Sequence, residues 1–333
     1  MAEPTLVDVA RVAGVSRATA ARVLAGRTNV DAGMTAAVEH AATQLGYQPN
    51  GAARMLRGGR ADSIALIVAF DDLDRLPGTI LTAVLKGAAA SLHAQGLQPV
   101  LLPADHDESG RVPRLLRTRA IDGAIVILQN EMTQVTQALA DSPAPIAWVG
   151  RPRVALAETA MVIDADNYGG ARLAARALAD SGRRRLGIIA GPHDMKPARE
   201  RLRGWRDELV QLGIDYTPLA HGAFTVESGV TAMVRLLQRH PDLDGVFAAS
   251  DLMANGAIHV LKASGRRVPT DVAVVGFDDV AIATTTDPPL TTIRQPLADM
   301  GRVAAETIVA VMRGRDVDRQ PILPTHLVQR ESA

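Results

Sequence analysis

The 333-residue sequence contains no cysteine, which excludes disulfide scaffolds, thiol catalysis and Cys-ligated zinc or iron–sulfur sites. Aromatic residues are scarce, with three Tyr, four Phe and two Trp, so little is available for stacking a purine ring. No apolar run approaches the roughly 18 residues of a membrane-spanning helix. The start MAEPTLVDVA has neither the basic nor the apolar segment of a signal peptide. The expectation is a soluble cytoplasmic protein with no membrane partner. Catalytic signatures are missing as well: there is no G-x-x-x-x-G-K-[ST], no G-x-G-x-x-G after a strand, no G-x-S-x-G and no H-E-x-x-H. The densest set of potential metal ligands, Asp105-His106-Asp107-Glu108, lies in a polar stretch and reads as a solvated loop. We therefore expect no enzyme, no metal and no cofactor. Carboxylate pairs assemble in space without a sequence signature, so an enzyme with an α/β cleft stands as the third reading.

What is present is 47% hydrophobic and 22% charged, the composition of a globular protein. The formal net charge is zero but unevenly placed. Residues 1–60 hold seven Arg (11, 17, 22, 27, 54, 57 and 60) against Glu3, Asp8, Asp31 and Glu39. A small basic head on a slightly acidic body suits a nucleic-acid-binding module attached to something else, although a difference this small also arises by chance.

Three helical patterns fill the head. Leu6, Val9, Ala10 and Ala13 share one helix face. Thr5 precedes them as N-cap and Asp8 completes a capping-box-like pair. Gly14 breaks this helix, and Ser16 opens a second from about Arg17 to Ala25. A third spans roughly Gly33 to Leu45, with Gly46 as its stop. Two helices joined by a Gly-containing turn and followed by a third are the arrangement of a helix-turn-helix. A three-helix cap on a larger domain is the alternative. Thr5, Ser16, Thr19 and Arg22 are available to one outer face, where hydroxyls hold phosphates while Arg17 and Arg22 reach guanine edges. Beyond Tyr47-Gln48-Pro49-Asn50, residues 50–58 are long enough for two helical turns, which form only when packed against something.

From Ser63 the texture becomes α/β. Strands are expected at Ile64–Ala69, Pro99–Leu102, Ala124–Leu128, Ile146–Val149, Met161–Ile163, Leu186–Ala190, Val246–Ala249 and Val272–Gly276. Helical stretches lie between them, such as Ile80–His93, Ala171–Ser181, Ala198–Leu212, Val230–Arg239 and Leu252–Ser264. Apolar strands alternating with amphipathic helices mean parallel sheets covered on both faces. Asp122-Gly123-Ala124-Ile125-Val126 is similar to Asp244-Gly245-Val246-Phe247-Ala248, which points to two like lobes with a cleft. Polar groups gather where such a cleft uses them, at strand carboxyl ends: Phe70, Asp71 and Asp72, then Ser250 and Asp251, then Asp278 and Asp279. Arg199, Arg201 and Arg203 begin a helix just after Ala190-Gly191-Pro192. Together they can hold the hydroxyls of a polar ligand, with Phe70, Trp148 or Phe224 covering an apolar face. Taken singly, each is equally well a helix cap or a surface ion pair. Trp205 reads as core.

These residues resemble the LacI/GalR family of bacterial transcription regulators along the whole chain. The resemblance rests on Thr5-Leu6-Val7-Asp8-Val9-Ala10, Ala13-Gly14-Val15-Ser16, Leu45-Gly46-Tyr47-Gln48-Pro49-Asn50 and Ala53-Arg54-Met55-Leu56-Arg57. Further on come Arg201-Leu202-Arg203-Gly204-Trp205, Ser250-Asp251, Val275-Gly276-Phe277-Asp278-Asp279 and Pro289-Leu290-Thr291-Thr292-Ile293, in order. It implies an all-α helix-turn-helix head (1–49), a hinge helix and linker (50–60) and a two-lobed, periplasmic-binding-protein-like α/β body with parallel sheets. The amino-terminal lobe is expected from 61–161 with 291–321, and the carboxyl-terminal lobe from 162–290 with 322–333.

The resemblance further implies a ligand-responsive repressor, with a homodimer bound to a pseudo-palindromic double-stranded operator. Carried over by position, Arg17, Ala18 and Arg22 read bases, Thr5, Ser16, Thr19, Asn29 and Asn50 contact phosphates, and Leu56 wedges the minor groove. Arg201 and Asp278 match the family's effector-holding arginine and aspartate, Ser250 stands where many members have Asn, and Gln295 matches a polar residue near the lobe crossover. With Phe70 and Asp71 after the first strand and the aromatic Phe224, they are expected to hold a small polar effector: a sugar, polyol or sugar acid. Ala20-Ala21, Ala25 and Met34-Thr35 depart from the usual residues; the first and last of these remove phosphate anchors, which weakens binding and flattens its salt dependence unless Arg17 and Arg27 compensate. No heptad stretch follows Val328, so a dimer is expected rather than a tetramer. The runner-up is a stand-alone sugar-binding protein.

Overall fold

The computed structural model describes residues 4–24, 30–47, 61–69, 80–104, 110–127, 133–152, 154–214 and 218–333. Expectations for Ala25, Asn29, Asn50, Leu56, Phe70 and Asp71 lie outside these residues. The chain forms two units, Met1–Ala61 and Asp62–Ala333.

In the first unit, α1 (Leu6–Val12), α2 (Arg17–Leu24) and α3 (Ala32–Leu45) follow the expected pattern. Thr5 and Asp8 close a reciprocal capping box: Asp8 N–H donates to Thr5 Oγ1 at 3.4 Å and Thr5 N–H donates to Asp8 Oδ2 at 3.0 Å. Ser16 Oγ accepts Thr19 N–H at 3.0 Å and so starts α2. Gly46, at φ +62, ends α3 in the left-handed conformation that glycine adopts at least cost. Val9, Ala10, Ala20, Val23, Val38, Ala41 and Ala42 form the core of the three helices.

The second unit contains two six-stranded sheets. Its elements in chain order are β1 (Ser63–Ala69), α4 (Ile80–Ala94), β2 (Gln98–Ala104), α5 (Arg111–Arg117), β3 (Gly123–Ile127), α6 (Thr133–Ala140), β4 (Ile146–Val149) and β5 (Met161–Ala165). Then come α7 (Asn167–Asp180), β6 (Leu186–Ala190), α8 (Lys196–Gln211), β7 (Leu219–His221), α9 (Val226–Arg239), β8 (Gly245–Ala248), α10 (Asp251–Ala263) and β9 (Ala273–Asp278). The last are β10 (Thr291–Arg294), α11 (Leu297–Met312), β11 (Ile322–Leu323) and β12 (His326–Val328). The first sheet runs β11-β5-β4-β3-β1-β2, the second β12-β10-β9-β8-β6-β7. All neighbours are parallel except β10 and β12. Strands such as β1 and β6 are buried at every position, which is why their sequences, Ser63 of β1 apart, are continuously apolar rather than alternating.

The lobe boundaries differ from those expected. β5 stays in the first sheet through Ala165, β10 extends the second sheet beside β9, and β11 returns to the first. The chain therefore crosses after Ala165, after Arg294 and after Leu323 rather than at 162, 291 and 322. An apolar run reports that a strand is buried but not which ladder its backbone joins.

The first lobe closes by packing α4 against α11, and the approach needs glycine on both sides. A Cβ at Gly87 would sit 1.9 Å from Ala298 O, and one at Gly301 would sit 2.1 Å from Val84 O. In the second lobe the fully buried Trp205 stacks on Phe247 with ring centroids 5.3 Å apart. Among the described residues no helix is long and apolar enough to cross a membrane.

Candidate functional site

Three parallel strands deliver polar groups from their carboxyl ends in the second unit. β9 ends in Phe277 and Asp278, β8 leads through Ala249 and Ser250 into Asp251 of α10, and β5 leads through Asp166 into Asn167 of α7. α8 contributes Arg201, and Gln295 follows β10. β5 belongs to the first sheet and β8 and β9 to the second, and in each the groups lie at the carboxyl end, where α/β proteins bind ligands.

Arg201 organises the cluster. Its side chain is 6% exposed. Nε donates to Asn167 Oδ1 at 2.9 Å, and Nη1 donates to Ala249 O at 2.6 Å and to Asp278 Oδ1 at 3.2 Å. The guanidinium carbon lies 3.7 Å from the Phe277 ring centroid and 5.9 Å from that of Phe224. Asp278 Oδ1 also accepts Gln295 Nε2–H at 2.7 Å. Thus Arg201, Asp278 and Gln295, predicted separately from sequence, meet in one network with Phe224 at its edge. Ser250 lies beside it, with Oγ accepting Met253 N–H at 3.3 Å as the cap of α10.

The surroundings are short of water. Burial pushes the Asp278 carboxyl above its ordinary range, against the pull of Arg201 and Gln295. Burial also lowers the Arg201 guanidinium, against Asp278 and Asp164. Asp251 is raised well above the ordinary range by burial, with the Asp278 charge adding to it. Its Oδ1 accepts the Thr292 hydroxyl at 2.5 Å and its Oδ2 accepts Val280 N–H at 2.9 Å. Charges with so little water around them interact strongly and reward close geometric matching. The backbone is unusual here too. Asp278 (φ +109), Asp279 (φ +58) and Phe224 (φ +59) occupy conformations that non-glycine residues rarely adopt. Each costs on the order of 1–3 kcal/mol and persists only where neighbours enforce it.

The sequence reading does not place Asn167 and Asp164 in the site. Asp164 accepts Asn167 Nδ2–H at 3.4 Å and pairs with Arg151 Nε at 3.2 Å. Burial and the nearby Glu200 charge push its carboxyl up. Asp164 lies in the last residues of β5 and Asn167 just beyond it, so the strand-end rule that located the other residues applies to both. Among the described residues no group of three or more His, Asp or Glu could hold a metal ion. What the cluster can do is bind: a guanidinium and a carboxylate beside an aromatic face suit the hydroxyls and apolar face of a polyhydroxylated ligand.

The first unit presents a second candidate surface. Thr5, Ser16, Arg17, Ala18 and Arg22 are exposed and Thr19 half-exposed, with Ala20 and Val23 buried behind them. Ser16 Oγ and Thr19 Oγ1 lie 2.9 Å apart, and Arg22 Nε donates back to Ala18 O at 3.3 Å.

Comparisons with known proteins cover both surfaces. Residues 5–50 match the family described as bacterial regulatory proteins, lacI family, and residues 175–333 match a periplasmic binding protein-like domain. The HTH-type transcriptional regulator CelR of Thermobifida fusca is 40% identical, covering 99% of this chain and 98% of its own. The ribose operon repressor of Escherichia coli is 30% identical over 99% of both chains. Among solved structures, a transcriptional regulator CelR–cellobiose complex superposes with a TM-score of 0.76 at 38% identity, covering 99% of this chain and 100% of that one. The lac repressor dimer bound to operator and the anti-inducer ONPF superposes with a TM-score of 0.82 at 25% identity, covering 99% of both.

Proposed function

This chain belongs to the LacI family of bacterial regulatory proteins, and from that premise we propose a cytoplasmic, sugar-responsive transcriptional repressor whose effector is a glucose disaccharide of the cellobiose class. The observation that carries the reading is the Arg201–Asp278–Gln295 network beside Phe277, desolvated and set at the carboxyl ends of a parallel sheet. The 38% identity over 99% of this chain to the solved CelR–cellobiose complex supports the disaccharide. In this reading Arg201, Asp278, Gln295, Ser250 and Phe224 contact the sugar, together with Phe70 and Asp71. The chain binds its ligand and does not transform it.

A homodimer places two heads on half-sites about one helical turn apart. Arg17, Ala18 and Arg22 read bases, while Thr5, Ser16, Thr19, Asn29 and Asn50 hold phosphates and Leu56 wedges the minor groove. Sugar in the body alters the lobes, separates the two 50–58 hinges and so lowers joint binding by the heads. Such coupling between two sites is typically about 1–3 kcal/mol, or roughly 5- to 150-fold in affinity.

The test uses an operator selected from random DNA by the purified chain. Cellobiose at saturation should weaken operator binding within that range, and removal of residues 1–60 should end operator binding while cellobiose binding persists. Operator affinity unmoved by saturating cellobiose, with another sugar moving it, would replace the disaccharide class. A truncated chain that still bound the operator would refute the assignment of DNA reading to the head.

A further inference from the structure

The turn that carries Asp278 is held from three directions. Asp278 and Asp279 are successive non-glycine residues with positive φ, and neither conformation is one that their side chains prefer. On one side, Gln295 Nε2 bonds Asp278 at 2.7 Å and Arg294 Nε bonds Asp279 Oδ2 at 2.6 Å, so two neighbours at the end of β10 grip two neighbours at the end of β9. From α10, Asp251 takes the next amide, Val280 N–H, at 2.9 Å. The third hold comes from the far end of the sequence, where Arg330 Nη2 donates to Asp279 Oδ1 at 2.7 Å.

Arg330 is itself fixed. Its Nη1 donates to Leu290 O at 2.8 Å and its N–H donates to Thr291 Oγ1 at 2.9 Å. The next residues are fastened to the same strands: Glu331 N–H to Pro289 O at 3.1 Å, Thr291 N–H to Ser332 Oγ at 2.8 Å, and Ser332 Oγ–H to Val274 O at 2.6 Å. Of the two arginines on Asp279, the side chain of Arg294 is 55% exposed and that of Arg330 only 17%. The better-shielded pair is the stronger constraint, because water screens the other.

Resting on the effector site proposed above, we infer that Arg330 is a positioning residue for effector recognition: by latching Asp279 it holds the left-handed turn that aims the Asp278 carboxylate at Arg201. A binding constellation must be kept within about 0.5 Å of its working geometry, and Asp278 has one backbone bond between it and the latched residue. Residues 330–332 thereby become part of the effector site without touching the effector.

The test compares the full chain with Arg330→Met, with Arg330→Lys and with Arg267→Met, an exposed arginine elsewhere in the same unit. Cellobiose is titrated calorimetrically well below the unfolding temperature, where stoichiometry counts folded protein and Kd reports site geometry. Arg330→Met should weaken Kd about tenfold or more, the scale of removing one charge-assisted hydrogen bond, with stoichiometry unchanged. Arg330→Lys, which keeps the charge but cannot fork between Asp279 and Leu290 O, should fall between, and Arg267→Met should match the parent. Operator binding without sugar should be unchanged throughout. A lower unfolding temperature with an unaltered Kd would make Arg330 merely structural and overturn the inference. If Arg330→Met does not fold, Arg330→Lys decides by the same criterion. Should the parent chain not bind cellobiose, the disaccharide reading fails while hydrogen exchange still judges the latch without ligand. Arg330→Lys should lose protection locally at residues 278–280, and unchanged protection there would refute it.

Discussion

Arg201 lies against both Phe277 and Asp278, with its guanidinium carbon 3.7 Å from the ring centroid and Nη1 3.2 Å from the carboxylate. Neighbours in a regular strand point to opposite faces of the sheet. The φ of +109 at Asp278 breaks that alternation and brings both residues onto one guanidinium. The backbone strain and the charge cluster are thus one feature, which explains why the strain persists.

Arg201→Met should abolish the response of operator binding to sugar. It leaves Asn167 Oδ1, Ala249 O and Asp278 Oδ1 without their shared donor in a buried place. Breaking a buried pair from one side costs about 3–5 kcal/mol, so the urea midpoint of the body should fall with an unchanged slope. Operator binding without sugar should survive, since the head is a separate unit. Retention of the sugar response in this variant would remove Arg201 from the site.

Asp251 supplies a pH signature. A carboxyl whose folded pKa lies above its unfolded value holds its proton more tightly in the native state. Its contribution to stability is complete below the ordinary carboxylate value, about 4, and is lost as pH rises through the raised folded value. Asp251 is of this kind. The stability difference, wild type minus Asp251→Asn, should therefore decline from about pH 4 upward and then level off. Denaturant unfolding of both proteins across that range checks it, and a flat difference would mean that Asp251 is not raised.

The parts of this fold that are legible from sequence are those where one local signal suffices. β1 after Ser63, and β4 and β6 throughout, are apolar because both faces are covered. The first helices carry Thr5, Gly14 and Gly46 at their ends, where capping and positive φ require such residues. α11 escapes notice because Pro296 precedes it and gives no side-chain cap, and α5 because Gly110 gives none and Pro113 lies inside it. β10, four residues reading TTIR, has no apolar run to see. In the site, the strand-end rule is met by Arg201 and Asp278 and equally by Asp164 and Asn167, which lie at and just beyond the end of β5 but carry no motif that singles them out. The hold of Arg330 on Asp279 spans 51 positions, and no local pattern encodes it.

Gly301→Ala tests the closure of the first lobe. The added methyl would meet Val84 O at 2.1 Å, and a backbone carbonyl in a packed helix cannot rotate away. Overpacking of this sort costs about 1–3 kcal/mol. Alanine's better helix propensity returns up to about 1 kcal/mol, so the net effect should be destabilising. A variant as stable as the parent in denaturant would show that α4 and α11 separate without penalty.

Arg22→Ala separates base reading from phosphate anchoring. In the free head the Arg22 guanidinium lies along its own helix, bonding Ala18 O at 3.3 Å and Thr19 Oγ1 at 3.5 Å, long hydrogen bonds on an exposed surface. Giving them up is cheap, so the side chain is available to a base edge, and the variant should fold normally. A bidentate arginine–guanine pairing discriminates by about 1–3 kcal/mol at one position, whereas removing one cation from a phosphate lowers the salt slope by about one. Binding to an operator set varied one base pair at a time, at two salt concentrations, distinguishes the two roles. Relaxed preference at a single pair with a nearly unchanged slope is expected. Uniform weakening across the set with a shallower slope would place Arg22 on the phosphate backbone and leave base reading in α2 to Arg17 and Ala18.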